Sequence, residues 1–258
     1  MAADETLNEI IPVMFDPAVM PKRMSQTQGS DIVQTSAVNF YEGVTQIEVE
    51  NFYNSMRDPN DNTPVSYGLN SKVIKENGEV VEKVWKLGGM YDKAIERIIG
   101  WLEKASAIAE SEQQKDIIDT LIEFYRSGSL QTFDDYSVKW VKDTDSRIDF
   151  INGFIETYTD PMGLKGSWES LVNFKSIEAS KRTSIISDNA QWFEDNSPVD
   201  DRFKKEEVKG VSAKVITVAM LGGDTYPATP IGINLPNADW IRRDHGSKSV
   251  TIDNITFA

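Results

Sequence analysis

Residues 148–175 read IDFINGFIETYTDPMGLKGSWESLVNFK, and this stretch decides the fold. Side chains along 148–158 alternate between two sets, which predicts a β-strand because successive strand residues point to opposite faces. The segment TDPMG at 159–163 is typical of a turn, and 167–175 predicts a returning strand. We therefore expect an antiparallel pair of strands closed by the turn at Pro161-Met162-Gly163.

Further strands are expected between this pair and the C-terminus. The patterns predict strands over about 211–219, 228–235 and 247–255, with a helix over 178–196 and a short helix from Ala238. Five strands with interspersed helices indicate an α+β fold, with a small five-stranded sheet or β-barrel as its core. We expect residues 146–258 to form this β-core and to carry any peptide-binding strands.

The N-terminal part, residues 1–145, is predicted to be mostly helical. The Asn77-Gly78 pair between β-branched runs predicts an extra β-hairpin at about 65–87, because both residues tolerate a positive φ. Apolar residues at three- and four-residue steps predict a helical hairpin over 90–127, and a third helix is expected from Thr132. We expect this part and the β-core to form one continuous lobe.

The composition excludes several classes of protein. The 258 residues include 27 Lys+Arg and 41 Asp+Glu, which gives a net charge of −14, together with one histidine and no cysteine. Such a charge repels nucleic acid, and no apolar run reaches the ~18–20 residues of a membrane span. Without cysteine there is no disulfide or zinc ribbon, and the lone His245 cannot supply a two-histidine zinc motif. A self-contained zinc peptidase is therefore excluded.

A pair of carboxylates is expected where the first two strands meet. An antiparallel pairing about the turn puts Glu156 opposite or nearly opposite Glu169, with Tyr158 on the same face as Glu156. Like charges across a strand pair destabilise it unless a cation or a proton lies between them, and a bound ammonium group would serve. The alternative is that both acids are solvated residues neutralised by Lys165 or Lys175.

A second candidate site lies in PIGINLPN at 230–237. The side-chain amides of Asn234 and Asn237 can both donate and accept hydrogen bonds. Pro230 lacks an N–H donor, so we expect this strand at a sheet edge, where a guest peptide could add as a further strand. The alternative is that both Asn side chains merely form turns and cap the helix that starts at Ala238.

Several motifs of the chain resemble the dipeptidyl peptidase III family, in particular its bacterial branch. The likeness is carried by INGFIETYTDPMG at 151–163, GSWES at 166–170 and GINLPN at 232–237. Shorter stretches such as SYGLN at 66–70 and HGSKSV at 245–250 are similar too. The resemblance therefore covers essentially the whole chain.

The resemblance implies a zinc-dependent exopeptidase that removes dipeptides from the N-termini of short peptides. It implies two lobes around a wide cleft, one helical and zinc-bearing, the other built on a five-stranded β-barrel to which this chain corresponds. The family's zinc motif would lie beyond Ala258, and the chain also begins inside a predicted helix. We therefore expect a substrate-binding lobe that binds no metal, is inactive alone and is completed by a zinc lobe.

The resemblance also implies roles for individual residues. Glu156 matches the carboxylate that receives the substrate's free α-amino group, and Tyr158 matches a tyrosine that reaches the scissile carbonyl. Asn234 and Asn237 match asparagines that bind polar groups of the N-terminal residue. Residues 230–234, from Pro230 through Gly232, match the strand on which a peptide adds.

Two acids have a less complete match to the family pattern. Asp239 matches a subsite acid. Where eukaryotic relatives read Gly-Glu-Phe-Glu, this chain has Gly166-Ser167-Trp168-Glu169, so that Glu169 is retained and one acid of the first subsite is lost. The family's default compartment is the cytoplasm, and export stays open if an upstream signal peptide has been removed.

Two other functions are open on the residues alone. A glycosidase would use Glu156 and Glu169 as its two carboxylates, about 5–5.5 Å or 6.5–9.5 Å apart in a sugar-sized cleft. A peptide- or glycan-binding module would use the same surface without catalysis.

Overall fold

The computed structural model describes residues 3–208 and 211–255, and the expectations about the chain ends at Met1 and Ala258 lie outside them. Its helices are α1 (Ala3–Phe15), α2 (Ile32–Thr35), α3 (Gln46–Asn54), α4 (Asp92–Ser106), α5 (Glu112–Ser127), α6 (Leu130–Lys142), α7 (Ile177–Asp188), α8 (Ala190–Asp195) and α9 (Asp239–Asp244). Its strands are β1 (Tyr41–Glu42), β2 (Ser71–Glu76), β3 (Glu79–Val84), β4 (Ile148–Glu156), β5 (Ser167–Lys175), β6 (Val211–Gly223), β7 (Gly232–Leu235) and β8 (Ser247–Ile252). The fold is mixed α+β with two sheets, as the α+β prediction requires.

The five C-terminal strands form one sheet in the order β4-β5-β6-β8-β7. No ladder joins β4 to β7 within the described residues, so the sheet is open there and the predicted barrel is not closed. The sheet is nevertheless strongly curled. Lys248 of β8 and Asp149 of β4 form an ion pair at 2.9 Å, although in a flat sheet three strand spacings would separate these strands by about 14 Å.

The extra hairpin lies in a second, three-stranded sheet of order β1-β2-β3. Asn77 and Gly78 both have positive φ, at 52° and 88°, so the predicted turn is confirmed. The first strand is shorter than predicted and begins only at Ser71, because residues 65–70 form turns instead.

Capping residues define the helical hairpin of α4 and α5 and the helix that follows. Ser111 caps α5 with its side chain, and Gly128 ends α5 with a φ of +73°. The third helix begins at Leu130, two residues earlier than predicted, because Ser129 and not Thr132 accepts the capping hydrogen bond. These helices pack against the curled sheet.

Two boundaries on the C-terminal side differ from the predictions. The helix expected over 178–196 is divided into α7 and α8 at Asn189, whose side chain donates to the carbonyl of Ile185 and so competes with helix continuation. The strand expected over 228–235 is confined to β7, because Pro227 and Pro230 have no N–H to donate to a ladder.

Two apolar clusters form the core. The larger one joins α4, α5 and α6 to the five-stranded sheet, with Leu121 and Ile252 as fully buried members. The smaller one joins α2 and α3 to the three-stranded sheet, with Val49 and Val73 at its centre. Both clusters hold elements that contribute to the cavity described next.

Candidate functional site

A cleft of about 920 Å³ opens between several elements of the molecule. Part of its wall is the loop that connects α3 to β2, residues 54–70, which we name the cleft loop. Another part is the end of β4 and the turn that follows it, residues 157–166, which we name the cleft turn. Helix α6 and the segment 235–238 complete the wall. Four elements that are distant in the sequence therefore meet at one cavity.

Glu156 is the last residue of β4, and it lines the cleft. It pairs with Ser167, while Glu169 pairs with Gly153. Glu156 and Glu169 are therefore not directly opposite each other; they are diagonal neighbours, which is the nearly opposite arrangement that the prediction allowed.

β4 ends at Glu156, two residues before the predicted end at residue 158, so Glu156 pairs with the first residue of β5. A β-bulge at Ile155 also changes the register between Phe154 and Glu156. One extra residue moves Glu156 onto the face of the sheet that carries Glu169, since each residue of shift reverses the face. Gly166 makes the bulge possible, because a Cβ at that position would lie only 2.9 Å from the backbone nitrogen of Ile155. The two acids thus share a face without being direct partners.

Glu169 is buried in β5, with 7% of its surface exposed. Burial, and then the negative charges of Glu156 and Asp224, raise the pKa of Glu169 to about 7. Asp224 follows Gly223, which pairs with Glu169 across β5 and β6. Asp224 could not be identified from the sequence, because only the register of β6 places it beside Glu169. Three carboxylates that repel one another favour a bound cation.

The alternative in which lysines neutralise these acids is wrong for both lysines. The Lys165 ammonium is fully buried and donates to Ser71 Oγ at 2.9 Å. The Lys175 ammonium donates to the carbonyl of Thr144 at 2.9 Å. Each lysine therefore donates its hydrogen bonds to a partner other than Glu156 or Glu169.

Two further predicted residues line the same cleft as Glu156. Tyr158 belongs to the cleft turn and is 77% exposed, so its hydroxyl is free to meet a ligand. Asn237 is exposed in the segment that precedes α9. The structure thus brings together a carboxylate, a phenol and an amide.

The other predicted residues lie outside the lining of the cleft. Asn234 and Gly232 are exposed in β7, where they pair with residues of β8. Pro230 precedes this strand, and the exposed Asp239 is the first residue of α9. β7 is the last strand of its sheet, so the prediction of an edge strand is confirmed. Its free edge is available for a further strand.

Helix α6 contributes a stripe to the cleft, and none of its residues was singled out from the sequence as a site residue. Phe133, Tyr136, Ser137 and Trp140 line the cavity at the three- and four-residue spacing of one helix face. The indole of Trp140 donates to the Asp149 carboxylate at 2.9 Å. The helical period was visible in the sequence, but nothing in it distinguished a cleft-facing stripe from a core-facing one.

Asp134 lies in the same stripe and is only 3% exposed. Its Oδ2 has no hydrogen-bond partner, and the buried indole nitrogen of Trp240 has none either. Burial, and then the neighbouring Asp135, raise the pKa of Asp134 to about 7, while the nearby Trp240 indole opposes this without forming a hydrogen bond. A buried acid without compensation is typical of binding surfaces rather than of scaffolds.

Comparisons with known proteins agree with this fold. Solved structures of dipeptidyl peptidase III share the fold: the protein from Corallococcus sp. strain EGB superposes with a TM-score of 0.70 at 22% identity, covering 84% of this chain and 40% of that chain. The protein from Caldithrix abyssi gives 0.69 at 20% identity, covering 98% and 48%. The dipeptidyl peptidase 3 of Dictyostelium discoideum is 33% identical over 173 residues, which are 66% of this chain and 24% of that protein.

The fold is therefore that of a dipeptidyl peptidase III. The family model for peptidase family M49 matches residues 37–258, and the chain belongs to this family of zinc-dependent metallopeptidases. It spans about a quarter of the length of the Dictyostelium relative and less than half of each solved structure.

The residues of this chain do not fit the zinc that the family implies. Within the described residues, no group of three or more His, Cys, Asp or Glu side chains could hold a metal ion. His245, the single histidine, follows α9 and packs edge-on against Trp240 at 5.9 Å between ring centres.

Among the helices described, none is long and apolar enough to cross a membrane.

Proposed function

We propose that this chain forms the peptide-binding lobe of a dipeptidyl peptidase, and that its cleft receives the N-terminus of short peptides. The observation that carries the proposal is the meeting of Glu156, Tyr158 and Asn237 at one cavity. A carboxylate with convergent polar groups distinguishes a terminal ammonium from an internal amide. Membership of family M49 supports a peptide as the ligand.

Each of these residues has a distinct role in the proposal. Glu156 accepts the α-amino group, and the buried Glu169 beside it adds negative charge on the same face. Tyr158 donates from its exposed hydroxyl to the scissile carbonyl, and Asn237 binds polar groups of the first residue. Asn234 serves the same residue from β7, where the strand from Pro230 through Gly232 accepts the peptide as an added strand.

The position of Glu169 favours a peptide over a sugar. A glycosidase needs both of its carboxylates to face the sugar ring. Glu156 faces the cleft, whereas Glu169 is buried and lies outside the cavity lining within the described residues. The Glu156 and Glu169 pair therefore suits charge accumulation around an ammonium better than two-carboxylate hydrolysis.

Hydrolysis is proposed to depend on a zinc-bearing lobe supplied outside these residues. The chain contains one histidine and no cysteine, too few for the histidine pair of a zinc peptidase motif. We propose that residues 1–145 and 146–258 act together as one lobe that binds peptide without cleaving it. Asp239, exposed at the start of α9, is proposed as a subsite acid.

The proposal is tested by calorimetric titration of the chain with tetra-alanine, a peptide without charged side chains. Glu156→Gln should raise the dissociation constant about tenfold, because a neutral amide cannot pair with the ammonium group. Glu178→Gln is the matched control, since Glu178 is exposed in α7 and lies outside the cleft. Equal affinities of wild type and Glu156→Gln would remove Glu156 from the site.

A further inference from the structure

Lys165 ends the cleft turn, and its fully buried ammonium has a defined set of partners. It donates to the Tyr53 hydroxyl and, at 2.9 Å, to the Ser71 hydroxyl, and the Glu82 carboxylate lies 4.0 Å away. Gly68 leaves the space for this group, because a Cβ at that position would lie 2.9 Å from the Lys165 Nζ. The site accommodates an ammonium group and little else.

These contacts connect two walls of the cleft. Tyr53 and Ser71 flank the cleft loop on its two sides, so a single ammonium group binds both ends of the loop. Lys165 itself belongs to the cleft turn that carries Tyr158. The backbone adds one more link, since the N–H of Gly166 donates to the carbonyl of Leu69 at 2.8 Å. The cleft loop and the cleft turn are thus fastened at the same place.

Asp160 makes the cleft turn stiff between Tyr158 and Lys165. Its Oδ2 accepts hydrogen bonds from the backbone N–H groups of Leu164 and Lys165, at 2.8 and 2.9 Å. It also accepts from the Tyr41 hydroxyl at 2.8 Å. A displacement at Lys165 is therefore passed along the turn to Tyr158.

Stability alone gives a weak reason for a lysine at this position. Burial lowers the pKa of Lys165 to about 8, which shows that the charged form is poorly compensated. Without the ammonium, the hydroxyls of Tyr53 and Ser71 would still donate to Glu82. An apolar residue of similar volume in place of a buried ion is often as stable or more so. What an apolar side chain cannot reproduce is the directed link between the two walls.

We propose that Lys165 is a positioning residue, which fixes the cleft loop relative to the cleft turn and thereby sets the geometry in which the cleft recognises a free peptide N-terminus. This inference rests on the proposed function. It concerns the placement of Glu156 and Tyr158, and Lys165 itself touches no ligand.

The test is the ratio of dissociation constants for N-acetyl-tetra-alanine and tetra-alanine. In wild type the free amine should bind more tightly. Lys165→Met should lower the ratio about tenfold, toward one, because small displacements of binding groups cost large factors in recognition. Amide hydrogen exchange of the same variant, without peptide, should rise in the cleft loop and the cleft turn together. Tyr53→Phe, which removes one acceptor, should show both effects to a smaller degree.

Val33→Ala is the matched control, because Val33 belongs to the apolar cluster beside this site but to neither wall of the cleft. It should lower the stability and leave both the ratio and the exchange of the two segments unchanged. An unchanged ratio in Lys165→Met, with unchanged exchange, would overturn the proposal. An equal loss of affinity for both peptides in Val33→Ala and Lys165→Met would also overturn it, by showing a merely structural role.

The two proposals fail in different ways. If wild type binds both peptides equally, recognition of the N-terminus is wrong, and the positioning role falls with it. If wild type discriminates and Lys165→Met discriminates equally well, the cleft function stands and only the role of Lys165 is wrong.

Discussion

Lys165 and Lys248 are both buried, but their charges are compensated very differently. Lys248, inside the curled five-stranded sheet, has the Asp149 carboxylate at 2.9 Å and the Trp140 ring centre at 4.2 Å. Lys165, beside the cleft, donates to two hydroxyl groups and also has a ring centre nearby, that of Tyr53 at 4.7 Å, but the Glu82 carboxylate lies only at 4.0 Å. The pKa of Lys165 is correspondingly lowered, to about 8.

The difference extends to the acids of the two regions. Asp149 shares a hydrogen-bonded pair with Lys248 within the sheet. Asp134 and Glu169, at or next to the cleft, have pKa values raised to about 7 by burial. Poorly compensated charges thus occur at the cleft, as is typical of binding sites. They also occur in the sheet, where burial, and then the charges of Lys248 and Lys175, lower the pKa of Lys214 in β6 to about 8.

The largest expected effect is on stability when the compensated pair is broken. Lys248→Met should lower the free energy of unfolding by about 3 kcal/mol, because the partly buried Asp149 loses its cation and keeps only hydrogen bonds such as the one from Trp140. Lys165→Met should cost only about 1–2 kcal/mol, because Tyr53 and Ser71 keep their hydrogen bonds to Glu82. Urea unfolding at pH 7 measures both. Equal losses would show that the two lysines do not differ as described.

A smaller change in the free energy of unfolding, this time an increase, is expected when Asp134 is replaced by Asn. Its raised pKa means that the folded state holds a proton that the unfolded state releases between about pH 4 and pH 7, so wild type loses stability as the pH rises through that window. Asp134→Asn should therefore be more stable than wild type by about 1–3 kcal/mol at pH 8, and by much less at pH 4. Glu123→Gln, at an exposed residue of α5 that does not contribute to the pKa of Asp134, serves as the control. A loss of stability in Asp134→Asn at pH 8 would contradict the account.

The contribution of Lys165 to stability should rise with pH, whereas that of Asp134 falls. Because its pKa is lowered to about 8, the unfolded state binds an extra proton between about pH 8 and pH 10.5, and stability from this group rises over that range. The free energy of unfolding of wild type, relative to Lys165→Met, should rise by about 1–3 kcal/mol from pH 8 to pH 10.5. Unfolding curves at several pH values measure this difference. A flat difference would mean that the Lys165 charge is already well compensated.

The smallest expected effect concerns peptide affinity. A bound ammonium favours the ionised form of Glu169, so affinity for tetra-alanine should increase about three- to tenfold from pH 5.5 to pH 7, where the peptide's amino group, with a pKa of about 7.7–8.0, is still protonated. The same titration of Glu169→Gln should be nearly flat over this range. An identical pH dependence in the variant would separate Glu169 from the binding site.

Much of the fold could be predicted because its signals are local. The Asn77-Gly78 turn and the helical hairpin over 90–127 were each predicted from residues close together in the sequence, and the structure confirms both. The strand at 167–175 was predicted with its observed bounds. The predicted closure into a barrel required β4 to pair with β7, two strands far apart in the sequence. The described sheet is open between them.

The site was harder to predict because it depends on register and burial. The partner of Glu156 could not be settled from the sequence, because no local signal showed that β4 ends at Glu156 or that a bulge lies at Ile155. The partners of the Lys165 ammonium, Tyr53 in α3 and Ser71 in β2, could not be predicted from any spacing along the chain. Asp224 and Asp134 were missed for the same reason.

The most direct measurement is titration of wild-type chain with tetra-alanine and with N-acetyl-tetra-alanine under identical conditions at pH 7, where the free amino group is mostly protonated. The account predicts that acetylation, which removes the positive charge of the N-terminus, weakens binding about tenfold or more. Equal affinity for the two peptides would contradict the claim that this cleft recognises a free N-terminus.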